Sequence, residues 1–211
     1  MLIGGGYTPL IRFKGFEDEW MTIKLCDISK KVIEKNATSV CQDVFTNSAE
    51  FGVINQRDFF DHDVANVDNI QGYYIVRPND YVYNPRISTT APVGPINRNK
   101  LGCCGVMSPL YYVFRVEKQS DGILHFLDYY FKSNMWHDFM FKNGNSGARS
   151  DRFSISDSTF SLMPILYPQK EEEQLNIGQV FINMEKLMRT ESIKLSKFRS
   201  MKHSLLQKMF I

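Results

Sequence analysis

The segment from Lys170 to Ile211 most limits what this chain can become. It contains no proline and a single glycine, Gly178. Its apolar residues recur every three or four positions: Ile177, Phe181, Met184, Met188, Leu195, Phe198, Leu205 and Met209. That period predicts one amphipathic helix, roughly 60 Å long at a rise of ~1.5 Å per residue. A domain built from the preceding residues has a radius of gyration near ~15 Å, so the helix overruns it. The apolar stripe therefore needs another helix to cover it. Glu191 and Lys202 fall on the stripe and interrupt it. Gly178 costs about 1 kcal/mol in a helix interior and is a candidate kink. Glu171, Glu172 and Glu173 open the segment, whereas after Glu191 only bases appear: Lys194, Lys197, Arg199, Lys202 and Lys208. This order suits the helix macrodipole. Parallel copies would bring like charges together, and antiparallel copies set each acidic end against a basic one. The pattern predicts an antiparallel homodimer through residues 169–211, with residues 1–168 as the globular domain.

The remaining composition excludes several classes. At 43% hydrophobic and 23% charged, the chain is not disordered as a whole. No apolar run approaches the ~18–20 residues of a membrane span. The start, Met1-Leu2-Ile3-Gly4-Gly5-Gly6, lacks the regions of a secretory signal. The expected location is cytoplasmic, with no membrane partner. Cys26, Cys41, Cys103 and Cys104 form no C-x-x-C pair, and the four histidines are scattered. Reduced thiols are expected, without a disulfide framework or a metal site. The net charge of +2 conceals separated segments. Between Asp43 and Asp80 acids outnumber Arg57 and Arg77. Asn84–Gly102 holds Arg86, Arg98 and Lys100 and no acid, and Lys142–Phe153 is again basic.

Up to residue 168 the pattern predicts strands and loops with some helix. Gly72–Val76 and Asp80–Tyr83 read as strands around the turn Arg77-Pro78-Asn79. Leu110–Val116 reads as a further strand. Phe126–Phe141 has helical spacing, closed by Gly144 and Gly147. Asn84–Gly102 reads as one long loop, a kind that is usually functional or disordered, and its three cations without an acid favour function. Its aromatic neighbours in the strands, such as Tyr81, Tyr83 and Tyr112, read as core rather than as base-stacking platforms.

Enzyme signatures fail on spacing. Asn84-Pro85-Arg86-Ile87 lacks the second proline and the aromatic of an amino-methyltransferase motif. Glu117-Lys118-Gln119 misplaces the lysine of a metal nuclease. Gly4-Gly5-Gly6 has no following Gly-Lys-Ser/Thr. No catalytic residues are expected.

Several segments, in order, resemble specificity subunits of type I restriction–modification systems. Pro9-Leu10-Ile11-Arg12-Phe13-Lys14-Gly15-Phe16-Glu17-Asp18-Glu19-Trp20 resembles the opening of their target-recognition repeat. Tyr74–Asn84 and Val106–Phe114 are similar to its middle strands. Gly144–Phe153, Ile165–Pro168 and Glu173–Gly178 resemble its exit into the spacer helix, and Leu205–Phe210 its end. The resemblance implies an α+β target-recognition domain followed by a long coiled-coil helix. It also implies a non-catalytic reader of one half-site in double-stranded DNA. Modification (methyltransferase) subunits would dock on it and carry S-adenosylmethionine, and a restriction subunit would carry ATP, so no cofactor is expected here. One recognition domain and one spacer stand where the full-length form has two of each, so two copies would restore the arrangement.

The residues expected to meet DNA are Arg86, Ser88, Thr89, Thr90, Arg98, Asn99, Lys100, Lys142, Asn145, Arg149 and Arg152. Arginine suits guanine O6 and N7, asparagine suits adenine, and most such contacts reach phosphate. Arg86 and Arg98 are the leading candidates. The alternative is an interaction subunit, a silent or truncated copy, that binds helices without reading DNA.

Overall fold

A computed structural model describes residues 7–58, 67–146 and 151–210, and it is α+β with a projecting C-terminal helix. The first half gives β1 (Met21–Lys24), α1 (Leu25–Ile28), β2 (Ser29–Lys31), β3 (Phe45–Ser48), β4 (Gly52–Asn55), β5 (Tyr74–Val76) and β6 (Tyr81–Tyr83). Next come β7 (Ile96–Arg98), β8 (Gly105–Met107), β9 (Tyr112–Val116), α2 (Asp121–Tyr130) and α3 (His137–Asn143). The chain closes with β10 (Asn145–Ser146), β11 (Phe153–Ser154), α4 (Asp157–Ser161), β12 (Pro164–Tyr167) and α5 (Glu171–Met209).

The central sheet runs β2-β9-β6-β7, antiparallel throughout. Side chains alternate across a strand. Tyr81 and Tyr83 of β6 thus join Tyr112, Phe114 and Val116 of β9 in one core, with Leu124 and Leu127 of α2, Met140, Phe160 and Ile165. Val82 and Val113 enter a second core with Val32, Phe45, Val76 and Met107. Covering both faces buries all of β6, and each large side chain removed from water contributes about 1.5–3 kcal/mol. The tyrosines are therefore packing groups, as their alternation implies. The smaller ladders are β1-β12, β3-β4, β5-β8 and β10-β11.

Three local expectations change. The helix over Phe126–Phe141 is two helices, α2 and α3. Ser133 donates to the Tyr130 carbonyl at 2.6 Å and the Trp136 indole to the Phe131 carbonyl at 3.2 Å, which satisfies the end of α2 and turns Trp136 inward. The 84–102 loop contains β7, because Ile96 is apolar enough to enter the core beside β6. The expectation of four reduced thiols is also corrected. Cys41 and Cys104, 63 residues apart, form a disulfide with a Cα–Cα distance of 6.2 Å. A parallel bridge between Val44 and Val106 brings the two segments together, and the Asn36 side chain holds both backbone polar groups of Cys41. Thiol titration of the unfolded, unreduced chain is expected to find only Cys26 and Cys103, which are free and exposed. Four reactive thiols would show that the bond is absent.

α5 is a single helix of 39 residues, and its first turns belong to the head. The Arg12 guanidinium donates to both oxygens of Glu173, at 2.7 and 2.9 Å, and the Trp20 indole adds a third bond at 3.1 Å. Gly178 marks close helix packing, not a kink. A Cβ there would lie 2.4 Å from the His125 Cβ of α2. Further along, Phe181 stacks on Tyr129 at 4.9 Å between ring centres, and Glu185 accepts from Tyr129 and Lys132. From Asn183 to Phe210 every residue is exposed. Ile177 and, in part, Phe181 are thus spent on the chain's own head, a correction to their expected place in the dimer stripe. Met184, Met188, Leu195, Phe198, Leu205 and Met209 lie free, each at least half exposed, and Leu187, Ile193, Met201 and Leu206 widen the stripe.

Candidate nucleic-acid interface

β11 is the strip on which two of the expected basic segments meet. On one side it pairs with β10, setting Asn145 opposite Ser154. On the other it takes residues 85–87: Phe153 N–H donates to the Pro85 carbonyl at 2.8 Å and Ile87 N–H to the Asp151 carbonyl at 3.0 Å. Arg86 and Arg152 consequently stand directly opposite one another across an antiparallel bridge. Phe153, almost wholly buried, anchors the strip to the core.

The 84–95 loop is held rigidly behind this ridge. Asn84 donates to the Asn47 carbonyl at 2.8 Å and accepts from the Arg86 N–H at 3.0 Å. Gly94, at φ +85°, passes so close that a Cβ would sit 2.0 Å from the Asn84 carbonyl oxygen, so only glycine serves there. Ser88 accepts from the Ala91 N–H and contacts the Thr90 hydroxyl at 3.2 Å. Arg86, Ser88, Thr89, Thr90, Asn145 and Arg152 are all exposed on this side. Among the described residues, no ion pair involves Arg86 or Arg152.

Below Arg152 lies a groove of about 290 Å³, lined also by Pro85, Pro109, Leu110, Tyr111 and the Lys31–Asp157 ion pair. Leu110 is 58% exposed at the tip of a turn closed by Tyr111 N–H to the Ser108 carbonyl. Sequence reasoning placed Leu110 inside a strand. The Ser108-Pro109 pair was the available signal that a turn precedes β9.

The other expected DNA contacts lie elsewhere. Arg98, a leading candidate, is a correction. Its guanidinium binds both oxygens of Asp128 at 3.0 and 2.7 Å and also reaches Asn79, with a side chain 10% exposed. Burial disfavours its charge, but the hydrogen bonds and charge of Asp128 outweigh that and hold the group above its ordinary range. Tyr81 donates to the same carboxylate, and burial first, then that negative charge, pushes its phenol well up. Asn99 is fully buried, bonding the Cys103 carbonyl and the Leu101 N–H, so it cannot face DNA as folded. Lys100 pairs with Asp128 at 2.7 Å, although its side chain is 56% exposed. Lys142 ends α3 and lines a separate cavity of about 470 Å³ with Lys24, Asp138 and Phe139. Arg149 lies outside the described residues.

The arrangement offers donors without a catalytic constellation. Two guanidiniums, hydroxyls and an amide can bind anionic oxygens or the acceptor edge of guanine. Among the described residues, no three His, Cys, Asp or Glu side chains are grouped to hold a metal, and no helix is long and apolar enough to cross a membrane.

No protein-family model and no curated protein sequence matches the chain. Solved structures do. A chain from a study of the complex assembly and conformational transition of the type I R-M system superposes with a TM-score of 0.57 at 11% identity. The match covers 96% of this chain and 50% of that one. The HsdS subunit from Thermoanaerobacter tengcongensis gives a TM-score of 0.49 at 14% identity, covering 87% of this chain and 41% of that one. This protein thus spans about half the length of the chains it matches, and its fold is one found in type I restriction–modification assemblies.

Proposed function

We propose that this chain is a non-catalytic specificity subunit of a type I restriction–modification complex, whose head reads one half-site of a bipartite duplex target. In that role two copies associate through antiparallel α5 helices. Modification subunits, which carry S-adenosylmethionine, dock on the assembly, and a restriction subunit supplies ATP-driven steps. One observation carries the reading of the head: Arg86 faces Arg152 with no acid paired to either among the described residues. Like charges directly opposite on paired strands destabilise the free protein. A phosphate or a guanine edge between them turns that repulsion into two charge-assisted contacts.

Arg86→Ala and Arg152→Ala are each expected to weaken specific DNA binding by about 1–3 kcal/mol where the side chain reads a base. Where it holds phosphate, the salt dependence of binding falls by about one unit of slope. The same variants lose a repulsion, so the unliganded fold gains a few tenths of a kcal/mol, about the size of one cross-strand pair. The measurement uses duplexes selected from a random pool by the unaltered protein, with Lys30→Ala on an exposed strand position as control. Unchanged affinity and salt slope for both arginine variants remove this ridge from the interface. Equal binding to every duplex favours a helix-binding scaffold that does not read DNA.

A further inference from the structure

The two polar residues that interrupt the α5 stripe are placed symmetrically within it. Counted along the helix, an antiparallel pairing that sets Glu191 opposite Lys202 of a second copy also sets Leu195 opposite Phe198, Met188 opposite Leu205 and Met184 opposite Met209. All of these side chains are exposed in the single chain, where Glu191 reaches only Lys194, three residues on. A polar pair inside an otherwise apolar seam fixes register and orientation, because any slip leaves both charges against carbon.

In this register the tip of the second helix arrives at the root of the first. There Ile11, Phe13, Trp20, Val180 and Phe181 line a groove of about 330 Å³. Ile11 in its lining is 93% exposed, and Met209 and Phe210 at the tip are 72% and 82% exposed. Charge agrees with the fit. At the root Asp18 and Glu171 already pair with Lys170 and Lys118, while Glu17, Glu19 and Glu172 have no ion pair among the described residues, and the distal helix carries only bases after Glu191. We infer that the occupant of this groove is the Met209–Phe210 tip of a second copy, delivered by a single antiparallel register that two Glu191–Lys202 pairs specify. This rests on the two-copy reading above and adds the register and the groove to it.

The test uses the full chain with Cys26→Ser and Cys103→Ser, sedimentation equilibrium for the mass and a pair of engineered cysteines for the tip. Glu191→Lys and Lys202→Glu are each expected to weaken the dimer about tenfold as attractive pairs become repulsive. The double exchange is expected to restore it. Ile11→Cys with Phe210→Cys is expected to give a covalent dimer under mild oxidation, since one chain's straight helix keeps its own two ends apart. A dimer indifferent to both single exchanges, or one that forms no 11–210 bond, overturns the register and the groove while leaving two-copy assembly intact. A monomer at micromolar concentration overturns both, and DNA binding, measured separately, then stands or falls on the arginine ridge.

Discussion

Asp128→Ala is expected to destabilise the head by about 3–5 kcal/mol, the usual cost of stranding a buried charge by removing its partner. The carboxylate is 5% exposed and accepts from Arg98, Lys100 and Tyr81. Among the described residues Arg98, 10% exposed, has no other ion-pair partner, and Asp121 acts on it only through its charge. Tyr81 shares its one hydroxyl proton between Asp128 and the Leu124 carbonyl at 2.9 Å and keeps the latter as acceptor, so the loss falls mainly on the guanidinium. Replacing both partners by apolar residues, Asp128→Leu with Arg98→Met, is expected to recover much of the loss, because no unpaired charge is left behind. Urea denaturation reads both effects. The double variant also separates two views of Arg98: if it folds and still binds DNA with its former preference, Arg98 is a structural group. A preference lost with the fold intact would return Arg98 to the interface.

Gly178→Ala is expected to destabilise the attachment of α5 to α2 by about 1–3 kcal/mol, through overpacking. At an exposed helix position the same change would stabilise by about 1 kcal/mol. The sign is therefore the test. The added methyl meets the His125 Cβ at 2.4 Å and its backbone carbonyl carbon at 3.0 Å, and the backbone cannot turn aside as a flexible side chain would. Ser192→Ala, far along the free part of the helix, serves as the comparison and is expected to be neutral or slightly stabilising. A more stable Gly178→Ala protein would show that the two helices do not touch there.

The arginine ridge was partly legible. Arg86 and Arg152 stood out as bases in segments rich in turn residues, and β11 then proved to join those segments across more than sixty positions of sequence. Arg98 looked the same on paper. Its partner acid lies 30 residues further on, on α2, and only the packing of α2 over β6 and β7 brings the two together. Local composition shows which groups carry charge. It does not show which of them already have a partner. The cysteines repeat the lesson, since 63 residues separate the bonded pair and the spacing held no motif.

By itself the sequence determined the long terminal helix, its oppositely charged ends and the strands around the turn at Pro78, because each is written in neighbouring residues through period, propensity and charge order. Tertiary structure alone decided which cations stay free, where the tail stops belonging to the head and which thiols meet. Those outcomes depend on contacts between segments far apart in the chain, and hydrophobic burial chooses such contacts for the molecule as a whole rather than for any one stretch of it.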